Sequence, residues 1–130
     1  MKYGYTIVYV SSVVETLEFY RDAFGFEIRF IHESKKYGEL DTGSTVLAFA
    51  DHEMGEMNLN GKYLKSDMQN RPFGIELAFI TEDIEAAFAQ AIAKGAIAIK
   101  DPELKPWGQT VAYVRAIEGS LIELCTPVAS

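Results

Sequence analysis

Glu123 stands in the middle of an apolar run, "SLIELCTPV", close to the C-terminal end of the sequence. A strand this apolar reads as buried, and an ionised carboxylate without a partner is expensive to bury. Its side chain therefore points into a wet cavity, pairs with another group, or holds a ligand. The two histidines are His32, in "FIHES", and His52, at the start of "HEMGEMNLNG". A surface or loop position is the plainer reading of both. His52 remains a ligand-site candidate because it opens a long connection, and such segments often border binding sites. Trp107, in "KPWGQ", sits just before a strand, where its ring either closes over a planar or cationic ligand or anchors the loop on the core. Cys125 is the single cysteine. With no histidine spaced to activate it, it reads as a small buried hydrophobe. Met54, Met57 and Met68 form an adaptable apolar lid or simply pack.

The elements that would position these side chains follow from period and punctuation. "YTIVYV", residues 5–10, is β-branched or aromatic at nearly every position and predicts a strand covered on both faces. Ser12 and Glu15 make a capping box, and Val13, Leu17, Tyr20 and Phe24 recur at helical spacing up to Gly25, a residue suited to a left-handed helix end. "FEIRFIHE", "KYGELDTG" and "STVLAFAD" then read as three strands joined by short polar spacers. Residues 52–72 lose periodicity and read as a connection. The pattern returns with "FGIELAFIT" as a strand and a helix capped by Asp83, striped by Ile84, Ala87, Phe88 and Ala91, and stopped at Gly95. "AIAIK" is a short strand, "DPELKPWG" a turn-rich loop, and "QTVAYVRA" and "SLIELCT" two further strands meeting around Gly119. Both halves thus read βαβββ, an internal duplication.

The length of 130 residues suits one compact domain with a real core. A net charge of −7 with scattered Lys and Arg offers no basic patch for nucleic acid or an anionic membrane. One cysteine cannot form an intramolecular disulfide, and the N-terminal apolar run is too short for a secretory signal, so a cytoplasmic location is expected.

The stretches "YTIVYVSSVVETLEFYRDAFGF", "YGELDTGSTVLAFA", "IELAFITEDIEAAFAQAIAKGA" and "PWGQTVAYVRAIEGSLIEL" together resemble the vicinal oxygen chelate superfamily. That superfamily includes glyoxalase I, bleomycin-resistance proteins, fosfomycin-resistance enzymes and extradiol dioxygenases. The resemblance implies an α+β fold in which two βαβββ modules form an incomplete barrel around a cavity. Module one would be 1–51, the linker 52–72 and module two 73–130, within a single domain. Metal-using members draw ligands from the first and last strand of each module. The first-strand positions fall on Tyr5 and Glu76; the last-strand positions fall on Ala48, which offers no ligand atom, and Glu123. That set is short for a divalent metal, so no cofactor is expected, and Glu76 and Glu123 are the ligands should a metal bind.

Strand alternation places Tyr5, Ile7 and Tyr9 on one face, Glu76, Ala78 and Ile80 on another, and Glu123 with Leu121 and Cys125 opposite Ile122 and Leu124. The implied ligand cavity is lined by Tyr5, Ile7, Tyr9, Ala48 and His52 from the first half and by Glu76, Trp107, Tyr113 and Glu123 from the second. Two carboxylates sharing a site would couple, raising one pKa, and serve a cationic ligand or proton transfer; paired with Lys or Arg they would be merely structural. The resemblance points to a homodimeric, metal-independent protein that sequesters a drug or metabolite. The alternatives are a metal-dependent lyase, isomerase or dioxygenase, a metal-free catalyst using Glu76 and Glu123, and an interaction domain with no small ligand. Members often carry Asp-Pro-Asp-Gly at the last hairpin, where this chain has "AIEG", residues 116–119; the retained glycine predicts that the hairpin survives.

Overall fold

The computed structural model describes residues 1–128. The chain divides into two compact units, Met1–Ser66 and a second that begins at Asp67. Unit 1 holds β1 (Tyr5–Val10), α1 (Val13–Phe24), β2 (Glu27–Ile31), β3 (Tyr37–Asp41), β4 (Val46–Asp51) and α2 (His52–Leu59). Unit 2 holds β5 (Glu76–Ile80), α3 (Ile84–Ala93), β6 (Ile97–Leu104), β7 (Thr110–Arg115) and β8 (Leu121–Cys125). Each has one four-stranded sheet, ordered β1-β4-β3-β2 in unit 1 and β5-β8-β7-β6 in unit 2. In both, the first strand pairs parallel to the last and the remaining pairings are antiparallel. The duplication in the sequence is therefore a duplication of topology.

Unit 1 forms where its punctuation predicts. Ser12 Oγ accepts from the Glu15 amide at 3.3 Å at the start of α1, and Gly25, at φ 79°, closes it with its N–H on the Arg21 carbonyl. That left-handed conformation is costly for a residue with a Cβ. The buried stripe of α1, which includes Val13, Leu17 and Tyr20, packs on β2, β3 and β4. There the Tyr20 ring lies 4.8 Å from that of Phe49 on β4. In unit 2, Asp83 Oδ1 caps α3 through the Ala86 amide at 3.1 Å. Ile84 and Ala91 of that helix are buried, as are Ala112, Val114, Ile122 and Leu124 on β7 and β8. The last hairpin survives without the family's aspartates: Gly119, at φ 103°, donates to the Ala116 carbonyl at 2.9 Å.

Two expectations are corrected. Residues 52–72 are not an unstructured connection, because α2 occupies the first eight of them. Asp51 Oδ1 caps that helix through the Met54 amide at 2.9 Å, and Asn60, at φ 51°, ends it. Its signal in the sequence is faint because Gly55 is its only buried residue. The Tyr63 ring occupies the space that a Cβ at Gly55 would need. The second correction concerns "DPELKPWG", whose first four residues continue β6. Pro102 is tolerated because β6 is an edge strand whose pairing with β7 shifts register between Lys100 and Glu103.

Gly38 sets how closely α1 approaches the sheet. A Cβ there would lie 2.5 Å from Leu17 Cδ1 and 3.1 Å from the Phe30 carbonyl oxygen, and Leu17 is fully buried. Gly38→Ala is therefore expected to destabilise the protein by about 1–3 kcal/mol through overpacking, read as a lowered urea midpoint. An unchanged midpoint would show that Leu17 has room to move.

Candidate functional site

In each unit the helix covers one face of the sheet, and the period of two sends alternate side chains to the other. On unit 2 that second face carries Glu76, Ala78 and Ile80 from β5, Leu121, Glu123 and Cys125 from β8, and Val111, Tyr113 and Arg115 from β7. Glu123 lies across from Ala78 on one side and Tyr113 on the other. The methyl group of Ala78 leaves room for Glu76, one row away, to lean toward Glu123.

The Glu76 carboxyl lies close enough to Glu123 for that group to act on its pKa. Burial pushes the Glu76 carboxyl above its ordinary pKa, and Glu123 pushes it further. Glu76 thus holds its proton more tightly than an ordinary glutamate does. The Tyr113 hydroxyl donates to Glu123, at 2.8 Å to Oε1. This bond to a carboxylate, followed by burial, raises the Tyr113 phenol to about 12. Cys125 is buried, with its thiol donating to the Phe79 carbonyl oxygen at 3.7 Å. Burial, then Glu123, raise its thiol pKa, so it is a poor nucleophile. The neighbours of Glu123 are therefore weak acids. No Lys or Arg is paired with it among the described residues, which answers why a carboxylate stands in that run.

The other expected residues distribute as follows. Tyr5, Ile7 and Tyr9 share the open face of β1 with Ala48 of β4, which is fully buried opposite Ile7. The Tyr9 ring lies 5.0 Å from that of Tyr63. His52, in the first turn of α2, bonds through Nδ1 to the Tyr63 hydroxyl at 2.7 Å. Burial and the charge of Lys65 lower its pKa, which keeps the ring neutral. Trp107 is 61% exposed, so it does not anchor its loop on the core. Its indole N–H donates to Gln109 Oε1 at 2.7 Å, and Gln109 in turn donates to the Thr126 carbonyl at 2.9 Å. His32 serves the β2–β3 turn, bonded to Ser34 Oγ at 2.8 Å. Met57 is exposed, while Met54 and Met68 are half-buried.

Sequence reasoning missed Tyr63, for which no signal exists, and Glu39. Glu39 was legible by the argument that found Glu123, since it alternates with Gly38 and Leu40 on the helix side of β3.

The metal ligation of the family's metal-using members does not fit these residues. In unit 2 Glu123 accepts from a phenol with Glu76 beside it, and the unit 1 positions that the resemblance assigns to ligands hold Tyr5 and Ala48. Among the described residues no three His, Cys, Asp or Glu side chains converge as a metal site.

Two unclosed βαβββ sheets, each backed by one helix and bearing polar groups on its other face, define a glyoxalase/bleomycin-resistance fold. The chain belongs to the glyoxalase-like domain family, whose model matches residues 3–129. It is 27% identical over 118 residues to the uncharacterized protein YraH of Bacillus subtilis (strain 168), covering 88% of this chain and 90% of that protein. A glyoxalase/bleomycin resistance protein/dioxygenase family enzyme from Burkholderia phytofirmans PsJN aligns over 97% of this chain and 98% of its own, with a TM-score of 0.81 at 24% identity. A glyoxalase-related enzyme from Fulvimarina pelagi aligns over 98% and 88%, also at 0.81, with 17% identity. These structural likenesses establish the fold. Among the described residues no helix is long and apolar enough to cross a membrane.

The raised pKa of Glu76 has a definite sign in stability. A carboxyl whose folded pKa exceeds its unfolded value stabilises the fold at low pH, and that contribution is lost as pH rises through the folded value. Stability should therefore fall as pH rises from the ordinary carboxylate range through the Glu76 titration. Glu76→Gln should remove this fall and leave the variant the more stable form above it. Urea unfolding of both proteins across that range is the measurement, and parallel profiles would refute the raised Glu76 pKa.

Proposed function

We propose that the protein is a metal-independent small-molecule binder whose site is the Glu76–Glu123–Tyr113 face of unit 2, and that its ligand presents a cationic nitrogen. The observation that carries this reading is that Glu123 accepts from the Tyr113 phenol and stands beside a second carboxyl, Glu76, with no base paired to it among the described residues. A carboxylate placed in this way remains available to a cation, which would lower the Glu76 pKa and meet two charged carboxylates. Trp107, exposed and fixed through Gln109, is suited to stack on a planar part of the same ligand. The relatives named above as enzymes support a second reading, and the raised pKa of Glu76 beside Glu123 is what favours it. A carboxyl with a raised pKa beside a charged one can move a proton to and from a bound substrate without a metal.

The assembly is proposed to be a homodimer in the cytoplasm. Exposed Ile75, Ile80 and Leu104 of unit 2 favour burial against a second copy. The single buried thiol suits a reducing compartment. The acidic net charge argues against nucleic acid and anionic membranes as partners.

A thermal-shift screen of aromatic amines against neutral analogues of the same shape tests the binding reading. Amines should stabilise the protein with saturation, and Glu123→Gln should weaken them about tenfold, the loss of one charge-assisted hydrogen bond. Equal response of the folded variant would remove Glu123 from the site. Elemental analysis after incubation with Zn, Ni, Mn or Fe(II) and desalting should find metal well below one equivalent. A stoichiometric metal lost in Glu123→Gln would overturn the metal-independent reading.

A further inference from the structure

On unit 1, the sheet face turned away from α1 holds a carboxylate that the proposed site does not use. Glu39 on β3 is only 7% exposed. Its Oε2 accepts from the Tyr37 hydroxyl at 2.7 Å. Its Oε1 is paired with the Arg29 guanidinium at 3.9 Å, too far for a hydrogen bond, and the Arg29 side chain is 59% exposed. Ala48 lies directly across from Glu39 on β4, with Phe30 across from it on β2. The Phe30 ring is 6.1 Å from that of Tyr37 and tilted 48° to it. Phe30 and Tyr5 are 43% and 57% exposed, and Tyr5 is near enough to act electrostatically on the Tyr37 phenol.

A structural ion pair does not account for this arrangement. A carboxylate so far out of water is stabilised by short, complete hydrogen bonds, and a long contact to a largely solvated guanidinium supplies little. The Phe30 and Tyr37 rings beside a carboxylate with one oxygen free of hydrogen bonds are the chemistry that recognises an alkylammonium ion. Ring faces attract the cation and its alkyl groups, and the carboxylate oxygen takes its N–H.

We propose that Glu39, flanked by Phe30 and Tyr37, is a binding site for an alkylammonium group, which takes the place of Arg29 at Oε1. The site stands on unit 1 alone and does not depend on Glu123.

The probe is protonated 2-(dimethylamino)ethanol, compared with 3-methylbutan-1-ol, which has the same shape and no charge. Both are titrated into the full ¹⁵N-labelled chain at neutral pH, and the Gly38, Glu39 and Leu40 amides are followed by NMR. The ammonium should shift these amides with saturation and bind at least about fivefold more tightly than the alcohol. Glu39→Gln should weaken it by at least about fivefold, while Glu123→Gln should leave it within about twofold. Phe30→Ala removes a half-exposed ring; that folded variant should also bind the ammonium more weakly, which keeps the test decisive if Glu39→Gln fails to fold. The proposal is overturned if the amides do not move, if the alcohol binds as well as the ammonium, or if folded Glu39→Gln or Phe30→Ala keeps the parent affinity. It is also overturned if Glu123→Gln abolishes the same shifts.

Discussion

Each half of this protein rests on one helix packed against one face of a four-stranded sheet, and that contact sorts the side chains of every strand. In unit 1 the contact is tight enough that Gly38 must have no side chain beneath Leu17. The strand residues that meet the helix are apolar because they are buried there, as Leu40, Leu47 and Phe49 show. Those between them are released to the opposite face, where Tyr5, Ile7, Glu39, Glu76 and Glu123 lie. Because α1 and α3 each pack on a single face of their sheet, the second face lies outside that helix contact. Chemistry can therefore accumulate on it without emptying the hydrophobic interior.

The two units use this freedom differently. In unit 2 the acid is Glu123 on β8, and its phenol, Tyr113, stands directly across on β7. In unit 1 the β4 position that corresponds to Glu123 is Ala48, and the acid is Glu39 on β3, at the position that corresponds to Tyr113. Its phenol, Tyr37, comes from the same strand. Duplication preserved topology, because topology is set by the apolar pattern and the caps. It did not preserve the polar constellation, because a group on the open face can change strand at little cost to the core. The charged neighbours diverge accordingly: Glu76 has a second acid, Glu123, beside it, whereas Glu39 has an arginine nearby.

Much of this was readable in the amino-acid sequence, and for a common reason. Period-two strands, the Ser12 and Asp83 caps, and Gly25, Gly95 and Gly119 are local signals, and local signals decided element type, order and repetition. The same alternation located Glu123 on the face away from α3 and would have located Glu39. What the sequence concealed was set by contacts distant along the chain or by pairing context. Helix α2 buries almost no side chain and depends on Asp51 and on Tyr63 filling the space at Gly55. The extension of β6 through Pro102 is permitted only because that strand lies at a sheet edge. By itself the sequence determined the two βαβββ patterns, the acid in "LIELC" and the shortage of metal ligands. Only the tertiary structure decided that Glu76 reaches Glu123, that Tyr113 donates to it, and that Glu39 lies among aromatic rings. Such pairings are fixed by strand register and side-chain reach, which join residues far apart in the chain and leave no periodic trace in it.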